Sequence, residues 1–199
     1  MAARLTRDRR RAQLLTVAHE IIKRDGTDAL TLAHLAERAG VSKPIAYDHF
    51  GTRAGLLSAL AAEGFELLAR QLRQAGDSGE FIDVGVAYVR FATEFPAHFD
   101  VMFRSDLLDA GDPALLAAQQ EAFSVLRSGV DAMATQGRTA DAAAAVVAGW
   151  SLVHGLAVLA SSGALDSARL RQMLPDADLA EVTRRAAGML FGSPGRREA

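Results

Sequence analysis

Three polar side chains lie close together in one short segment of the sequence, where their chemistry suits an anionic partner. Lys43 carries a positive charge, and Tyr47 and His49 follow it within two helical turns. A phenol and an imidazole donate hydrogen bonds to phosphate oxygens, and an ammonium group donates to phosphate or to guanine O6 and N7. Presented by one helix, these donors indicate contact with double-stranded DNA.

The surrounding residues predict the helix that presents this segment and a second helix before it. Thr31 can cap the first helix through its side-chain oxygen. Four apolar residues then share one face at helical spacing: Leu32, Leu35, Ala36 and Ala39. Gly40 ends this helix where a left-handed residue is needed. Ser42 caps the next helix, and Pro44 lies in its first turn, where no intrahelical N–H bond is lost. The pattern is typical of a helix-turn-helix.

A longer stretch of the chain resembles a known family. Apolar residues at helical spacing predict a further helix upstream, ending near Gly26: Leu14, Val17, Ala18, Ile21 and Ile22. That helix, the Thr31-Leu32 start, Ala39-Gly40-Val41-Ser42 and Tyr47-x-His49-Phe50 resemble the N-terminal DNA-binding domain of the TetR (tetracycline repressor-like) transcription regulators. The resemblance covers about the first quarter of the chain and implies a three-helix DNA-binding domain at residues 13–55.

The helix-turn-helix motif and the resemblance together predict a set of DNA-contacting residues. The set comprises Thr31, Ser42, Lys43, Pro44, Ile45, Tyr47, His49 and Arg53. The structural alternative is that Tyr47 and Phe50 belong partly to the core and that Lys43 is only solvated. Phe50 is expected in the core because it has no donor for phosphate. Asp48 carries the wrong charge for phosphate, so it is expected to point sideways or to contact a base edge.

Charge is unevenly distributed along the 199 residues, whose formal net charge is −2. Residues 1–55 contain 10 Lys/Arg and 6 Asp/Glu, whereas the remainder contains 12 and 18. A basic arm is expected at residues 1–12, with arginines at Arg4, Arg7, Arg9, Arg10 and Arg11. Such an arm either adds phosphate or minor-groove contacts or is a disordered, solubilising tail.

The absence of cysteine excludes disulfides, thiolate metal sites and a cysteine nucleophile, and it fits a cytoplasmic protein. Segment 142–161 has no charged residue and is long enough to span a membrane. Because alanine anchors poorly in lipid, burial of this segment in a helical bundle is expected instead.

The rest of the sequence predicts helices and no β-strand, so the expected fold class is all-α. Residues 56–191 are expected to form a helical bundle for ligand binding and dimerisation, including a short helix near residues 164–173. Residues 192–199 are expected to be a flexible tail.

The second region resembles a TetR subgroup less specifically. Phe95-Pro96-Ala-His98-Phe99-Asp-Val-Met102-Phe103 and Trp150-Ser-Leu-Val-His154-Gly155 are similar to the ligand-binding region of members with a Trp-His-Gly signature. The resemblance implies a cavity for an apolar or aromatic effector, lined by Phe91, Phe95, Phe99, Met102, Phe103, Phe123, Trp150 and His154. The same residues at helical spacing also fit an ordinary core.

Small residues of segment 142–161 and apolar residues near the C-terminus predict a helix–helix interface. The set comprises Ala145, Ala148, Gly149, Gly155, Val182, Ala186, Met189 and Leu190. In a homodimer these residues would form a two-fold, four-helix contact. The alternative is burial within one chain, since a bundle core uses the same residue types.

The residues indicate no catalytic constellation. Ser151 and His154 are spaced as a nucleophile and a base, but they have no acidic partner near in sequence. His98 and Asp100 lie two apart on a helix and would not face each other. We therefore predict no catalytic residue, no metal and no cofactor.

The expected function is an effector-responsive transcriptional regulator, most simply a homodimeric repressor. It would bind double-stranded DNA at a palindromic operator and leave it when a small-molecule effector binds. The alternative is a transcriptional activator, or a ligand-independent DNA-binding protein with a packed core.

Overall fold

The computed structural model describes residues 2–78, 80–166, 172 and 178–191. Over these residues it contains nine α-helices and no β-strand, which confirms the all-α fold class. The helices are α1 (Ala2–Asp25), α2 (Leu32–Arg38), α3 (Lys43–Phe50), α4 (Arg53–Ser78), α5 (Phe81–Glu94), α6 (Pro96–Met102), α7 (Pro113–Thr135), α8 (Ala142–Ser161) and α9 (Leu179–Phe191). Short 3-10 turns at Thr27–Ala29 and Ala164–Asp166 follow α1 and α8. The predicted tail at 192–199 and most of the short helix predicted at 164–173 lie outside the described residues.

The chain forms two compact units. Of the described residues, the first contains 2–65 and 95–119, and the second contains 66–94 and those from 120 to 191. α6 and the first part of α4 group with the helix-turn-helix segment in the first unit, and the domain boundary predicted at residue 55 stays a prediction. Thr27 Oγ1 donates to Asp100 Oδ2 of α6 at 2.5 Å, and the ring of His98 in α6 packs 4.6 Å from that of His19 in α1.

α1 begins at residue 2, so the basic segment that was predicted as an arm before the first helix is the N-terminal part of that helix. No glycine or proline interrupts residues 2–25. The apolar face of α1 is buried in the first unit through Leu14, Ala18 and Ile21.

The turn between α2 and α3 has the geometry that the sequence predicts. Gly40 has a φ of 64° and donates its N–H to the Glu37 carbonyl at 3.2 Å, and the Val41 N–H donates to the Ala36 carbonyl at 3.0 Å. This pair of bonds is a Schellman motif, which satisfies carbonyls at the end of α2. A residue with a side chain would be strained at this positive φ, so the turn favours glycine.

In the second unit, α5 packs against both α8 and α9. Phe91 of α5, Ala157 of α8 and Thr183 of α9 are all fully buried. The buried hydroxyl of Thr183 donates to the Leu179 carbonyl at 2.7 Å, so it is satisfied within its own helix.

α8 is long and apolar enough, by length and composition, to cross a membrane. It packs on α5 and α9, but large apolar side chains elsewhere on the helix are exposed: Val147, Trp150, Val158 and Leu159. The predicted burial of α8 in a bundle is therefore incomplete within a single chain. A helix with a packed side and an exposed apolar side is typical of a contact with another protein.

Candidate nucleic-acid interface

α3 buries one side and presents the other to solvent. Ala46 and Phe50, one turn apart, are buried, with 0% and 8% of their surfaces exposed. Lys43 and Tyr47, also one turn apart, are exposed, and Tyr47 keeps 53% of its surface in solvent. Phe50 is therefore a core residue, as expected, whereas the ring of Tyr47 is available to a partner.

The two predicted helix caps behave differently. Thr31 Oγ1 accepts a hydrogen bond from the His34 N–H at 3.1 Å, which confirms its capping role. Ser42 occupies the N-cap position of α3 but makes no side-chain cap bond. Ser42, Pro44 and Ile45 are exposed at the same end of α3 as Lys43, so the structure brings these predicted residues together.

The guanidinium of Arg53 is engaged within the chain. It donates through Nε to the Leu30 carbonyl at 2.8 Å and through Nη2 to the Thr27 carbonyl at 2.9 Å. Asp28 Oδ1 lies 3.8 Å from Nη2. Arg53 thus holds the segment between α1 and α2, and its other N–H groups are not used in these bonds.

His49 is half-buried at the C-terminal end of α3. Its Nδ1 atom is buried and has no hydrogen-bond partner among the described residues. Burial, followed by the positive charge of Arg7, lowers the pKa of His49. The ring is therefore neutral at pH 7, and it would act on phosphate as a hydrogen-bond donor rather than as a cation.

Two arginines near the start of α1 contact α3, and sequence reasoning did not pair them with it. Arg7 Nη2 donates to the Asp48 backbone carbonyl at 3.1 Å and lies 3.5 Å from Asp48 Oδ2. The Arg11 guanidinium lies over the ring of Phe50, 5.5 Å from its centroid. No local sequence pattern links residues this far apart. Only the positive charge of the segment around Arg7 and Arg11 could have indicated such a contact.

Gly55 allows α4 to begin close behind α3. A Cβ atom at this position would lie 2.3 Å from the Phe50 carbonyl oxygen. By helix propensity alone, a glycine here lowers helix stability by about 1 kcal/mol relative to alanine. The close approach of the α3 backbone nevertheless requires a residue without a side chain.

The polar residues of α6 face different partners, as expected. His98 Nε2 lies 3.2 Å from Glu63 Oε2 of α4, whereas Asp100 accepts from Thr27. The hydrogen bond from His98 lowers the pKa of Glu63, and burial lowers the pKa of His19, which packs on His98. Over the described part of the chain, no three His, Cys, Asp or Glu residues form a group that could hold a metal ion.

The predicted ligand residues divide between the two units. In the first, Phe99 and Met102 are buried, and the ring of Phe103 packs edge-on against Phe99 and Phe65 with centroids 5.3 and 5.5 Å apart. The Phe95 ring lies 6.2 Å from that of His98 in the same unit. In the second unit, Phe91 is fully buried and Phe123 is exposed.

Trp150 and His154 converge on Tyr88, a residue of α5 that the sequence analysis did not select. The Tyr88 hydroxyl and His154 Nδ1 are 2.9 Å apart, and Trp150 also hydrogen-bonds to Tyr88. An indole N–H can only donate, so the Tyr88 O–H is directed at His154. Burial raises the pKa of Tyr88 and lowers that of His154, so both side chains stay neutral at pH 7.

The second unit contains a cavity of about 560 Å³, which is a typical size for a ligand site. It is open to solvent on one side, and its lining mixes apolar residues and glycines with polar and charged ones: Gly76, Glu80, Phe81, Ile82, Val84, Val125, Ser128, Gly129, Ala132, Met133, Gln136, Arg138 and Phe191. None of the eight predicted ligand residues lines it. Gly129 leaves room for the Phe81 ring, since a Cβ there would lie 2.1 Å from it and the ring would have to shift.

The predicted dimerisation residues are partly exposed in the single chain. Met189 has 88% of its surface in solvent, and Leu190 and Ala148 are also exposed. Gly149 is buried and makes room within the chain for Phe191, whose ring lies 2.8 Å from the position of a Cβ there. The other four are half-buried: Ala145, Gly155, Val182 and Ala186.

Two family descriptions match the chain. "Bacterial regulatory proteins, tetR family" matches residues 14–60, and "Tetracyclin repressor-like, C-terminal domain" matches residues 81–182, which is just over half of the chain. No curated protein matches the sequence.

Several solved structures share the fold. A protein of unknown function from Rhodococcus sp. RHA1 is 28% identical with a TM-score of 0.75, covering 91% of this chain and 93% of that one. The TetR family transcriptional regulator PfmR from Thermus thermophilus is 21% identical with a TM-score of 0.66, covering 92% and 99%. The fatty acid degradation regulator FadR from Bacillus halodurans is 14% identical with a TM-score of 0.68, covering 94% and 96%. The last two likenesses show the fold alone.

A helix-turn-helix whose second helix exposes polar donors, followed by a larger helical region, defines a class of DNA-binding transcription regulators. The two family matches cover both regions, and the chain belongs to the TetR family. Members of this family are DNA-binding regulators and not enzymes, which removes a catalytic role for Ser151 and His154. The narrower Trp-His-Gly type stays a prediction.

Proposed function

We propose that the chain is a homodimeric, cytoplasmic transcriptional repressor that a small apolar or aromatic ligand releases from a palindromic operator. The exposure of the polar side chains of α3 is the observation that carries the proposal, since Lys43 and Tyr47 are in solvent while Ala46 and Phe50 of the same helix are buried. In a two-fold dimer, two such helices would enter successive major grooves about 34–36 Å apart.

Each predicted DNA contact has a chemical role in this proposal. Lys43 binds a guanine edge or a phosphate, and Ser42 and Tyr47 donate hydroxyl groups to phosphates. Pro44 and Ile45 contact the groove surface beside Lys43 without donating. Thr31 and Arg53 bind phosphates with the N–H and O–H groups that their intramolecular bonds do not use, and His49 donates from its neutral ring.

The exposed apolar side chains of α8 and α9 support the homodimer. Val147, Trp150 and Met189 are exposed, and these two helices pack against each other in the second unit. A large apolar surface of this kind is usually covered in a soluble protein. A two-fold contact would cover it by pairing the same two helices of each chain.

The cavity of about 560 Å³ supports ligand binding in the second unit. A ligand releases the operator only if it binds the DNA-incompetent state of the dimer more tightly than the DNA-bound state. Of the residues predicted from the sequence, those in the same unit, Phe91, Phe123, Trp150 and His154, are the other candidate contacts for such a ligand.

The alternative, an activator or a ligand-independent DNA-binding protein, is favoured by a different observation. Phe91, Phe99 and Met102 were predicted to line a ligand cavity, yet they are buried like core residues. If no small molecule changed the affinity for DNA, this alternative would replace the effector-responsive repressor.

The test is to select genomic DNA fragments with the purified protein and to footprint them across a salt series. An enriched palindrome whose binding weakens steeply with salt would support the dimeric DNA-binding protein. Screening small apolar and aromatic compounds for release of that fragment tests the effector. Absence of enrichment, both with purified protein and with cell extract added, would contradict the proposal.

A further inference from the structure

The helix that is proposed to enter the major groove carries an acidic residue. Asp48 lies between Tyr47 and His49, and its side chain is 69% exposed. DNA presents one negative charge for roughly each 1.7 Å of helix axis, so an uncompensated carboxylate on this helix opposes binding. The helix therefore needs a means of neutralising Asp48.

Arg7 of α1 supplies a positive charge at this position and also binds the helix backbone. Its Nη2 atom donates to the Asp48 carbonyl at 3.1 Å and lies 3.5 Å from the Asp48 carboxylate. The Asp48 carbonyl is in the last turn of α3, where carbonyls lack intrahelical partners. A cation at this end also interacts favourably with the helix dipole.

Other contacts hold the start of α1 beside α3. The Arg11 guanidinium packs over the ring of Phe50, whose side chain is buried in the first unit. Arg9 lies in the same turn of α1 and is exposed. It makes neither an ion pair nor a cation–π contact among the described residues, so it differs from Arg7 in contacts but not in charge.

We propose that Arg7 is a positioning residue for DNA binding, which neutralises Asp48 and secures the last turn of α3 instead of contacting DNA from a free arm. The inference rests on the proposed binding of DNA through α3. It assigns different roles to arginines that composition alone treats as equivalent.

The experiment is a double-mutant cycle on the palindromic fragment selected by the wild-type protein. Arg7→Gln, Asp48→Asn and the double variant are compared by dissociation constant over a salt series. Arg9→Gln is the matched control, made both in the wild-type protein and in the Asp48→Asn variant. Circular dichroism and sedimentation establish that each variant is folded and has the assembly state of the wild type.

Arg7→Gln should weaken binding about fivefold more when Asp48 is present than when Asp48→Asn has removed its charge. This factor is the repulsion between a carboxylate that Arg7 no longer holds and a phosphate about 4 Å away in water. The Arg7–Asp48 attraction itself is present with and without DNA, so it does not contribute to the difference. Arg9→Gln should cause the same loss in both backgrounds, because it has no contact with Asp48. Asp48→Asn alone should bind at least as tightly as the wild type.

Equal losses from Arg7→Gln in the two backgrounds would overturn the inference. If the salt slope also fell by about 0.9, Arg7 would be an ordinary phosphate contact. Lys43→Ala separates this result from failure of the proposed function. If that variant binds as tightly as the wild type, α3 is not the DNA-binding helix and both conclusions fall. They fall as well if the wild type retains no fragment even with cell extract added.

Discussion

Lys43 and Tyr47 are available to a partner because other residues of the same two helical turns, Ala46 and Phe50, pack α3 into the first unit. Replacing either exposed side chain should therefore leave the fold intact and reduce only the affinity for DNA. At the scale of single residues, this separation of packing and binding makes the interface testable.

Lys43→Ala and Tyr47→Ala should each unfold at the wild-type temperature but bind the selected fragment more weakly. If Lys43 binds phosphate, affinity should fall about fivefold at about 0.15 M salt and the salt slope should decrease by about 0.9. If Lys43 reads guanine, the loss should be about 1–3 kcal/mol and specificity should relax at one base pair. Lys23→Ala, an exposed lysine at the end of α1, is the control for charge. Unchanged affinity in both variants would contradict the assignment of α3.

Histidine burial predicts a loss of stability in mild acid. Burial is the first cause that lowers the pKa of His19, His49 and His154. Unfolded histidine takes up a proton near about pH 6.5, whereas these folded residues do so only at lower pH. The unfolded state therefore binds more protons in that window, and the free energy of unfolding decreases as pH falls through it.

The free energy of unfolding can decrease by at most about 1.4 kcal/mol per pH unit for each histidine. Because the rings are partly exposed, the actual decrease is smaller. Urea unfolding at about pH 7.5 and about pH 5.5, at one protein concentration, measures it. His154→Gln should show a smaller pH dependence than the wild type. Equal wild-type stability at both pH values would show that burial does not disfavour the charged rings.

At the scale of the elements, the two caps of the helix-turn-helix are a matched pair. Thr31 accepts a bond from the His34 N–H, whereas Ser42 makes no side-chain cap bond. Thr31→Ala should lower the free energy of unfolding by about 1 kcal/mol. Ser42→Ala should have little effect on stability, and chemical denaturation of both variants provides the comparison. Equal losses would mean that Ser42 also caps its helix in solution.

Gly55 and Gly76, both in α4, make a second pair. A Cβ at Gly55 would collide with the Phe50 carbonyl oxygen at 2.3 Å, whereas a Cβ at Gly76 would make an ordinary 3.6 Å contact with Val84. Because a backbone atom cannot move cheaply, Gly55→Ala should destabilise by about 1–3 kcal/mol. Gly76→Ala should be neutral or slightly stabilising through helix propensity. Thermal unfolding measures both, and a neutral Gly55→Ala would show that α4 can shift away from α3.

At the scale of the whole molecule, the exposed apolar side chains of α8 and α9 make assembly the main expectation. Met189→Asp should yield a monomer with intact helices, because it places a charge in the proposed two-fold contact. Operator binding should weaken with it, since one chain engages only half of a palindrome. Leu116→Asp, at an exposed apolar position in the first unit, is the control. Sedimentation equilibrium distinguishes the two, and a Met189→Asp dimer would contradict this contact.

Much of the DNA-binding region was predictable because its determinants are local. The positive φ of Gly40, the cap at Thr31 and the burial of Phe50 each depend on neighbours within about one or two helical turns. The same rules predicted an all-α second region. These rules could not tell residues of a packed core from residues that line a cavity in that region, because aromatic residues at helical spacing are found in both.

The sequence by itself determined where most of the helices lie, apart from the start of α1, how the α2–α3 turn is made and that Phe50 of α3 is buried, since helical period and capping act over a few residues. Only the tertiary structure decided which partners those helices find. Arg7 bonds to Asp48 across 41 positions, His154 to Tyr88 across 66 and Thr27 to Asp100 across 73. A helical pattern shows which side of a helix is apolar and must be covered. It does not show which other element covers that side, because many packing arrangements are compatible with the same hydrophobic period.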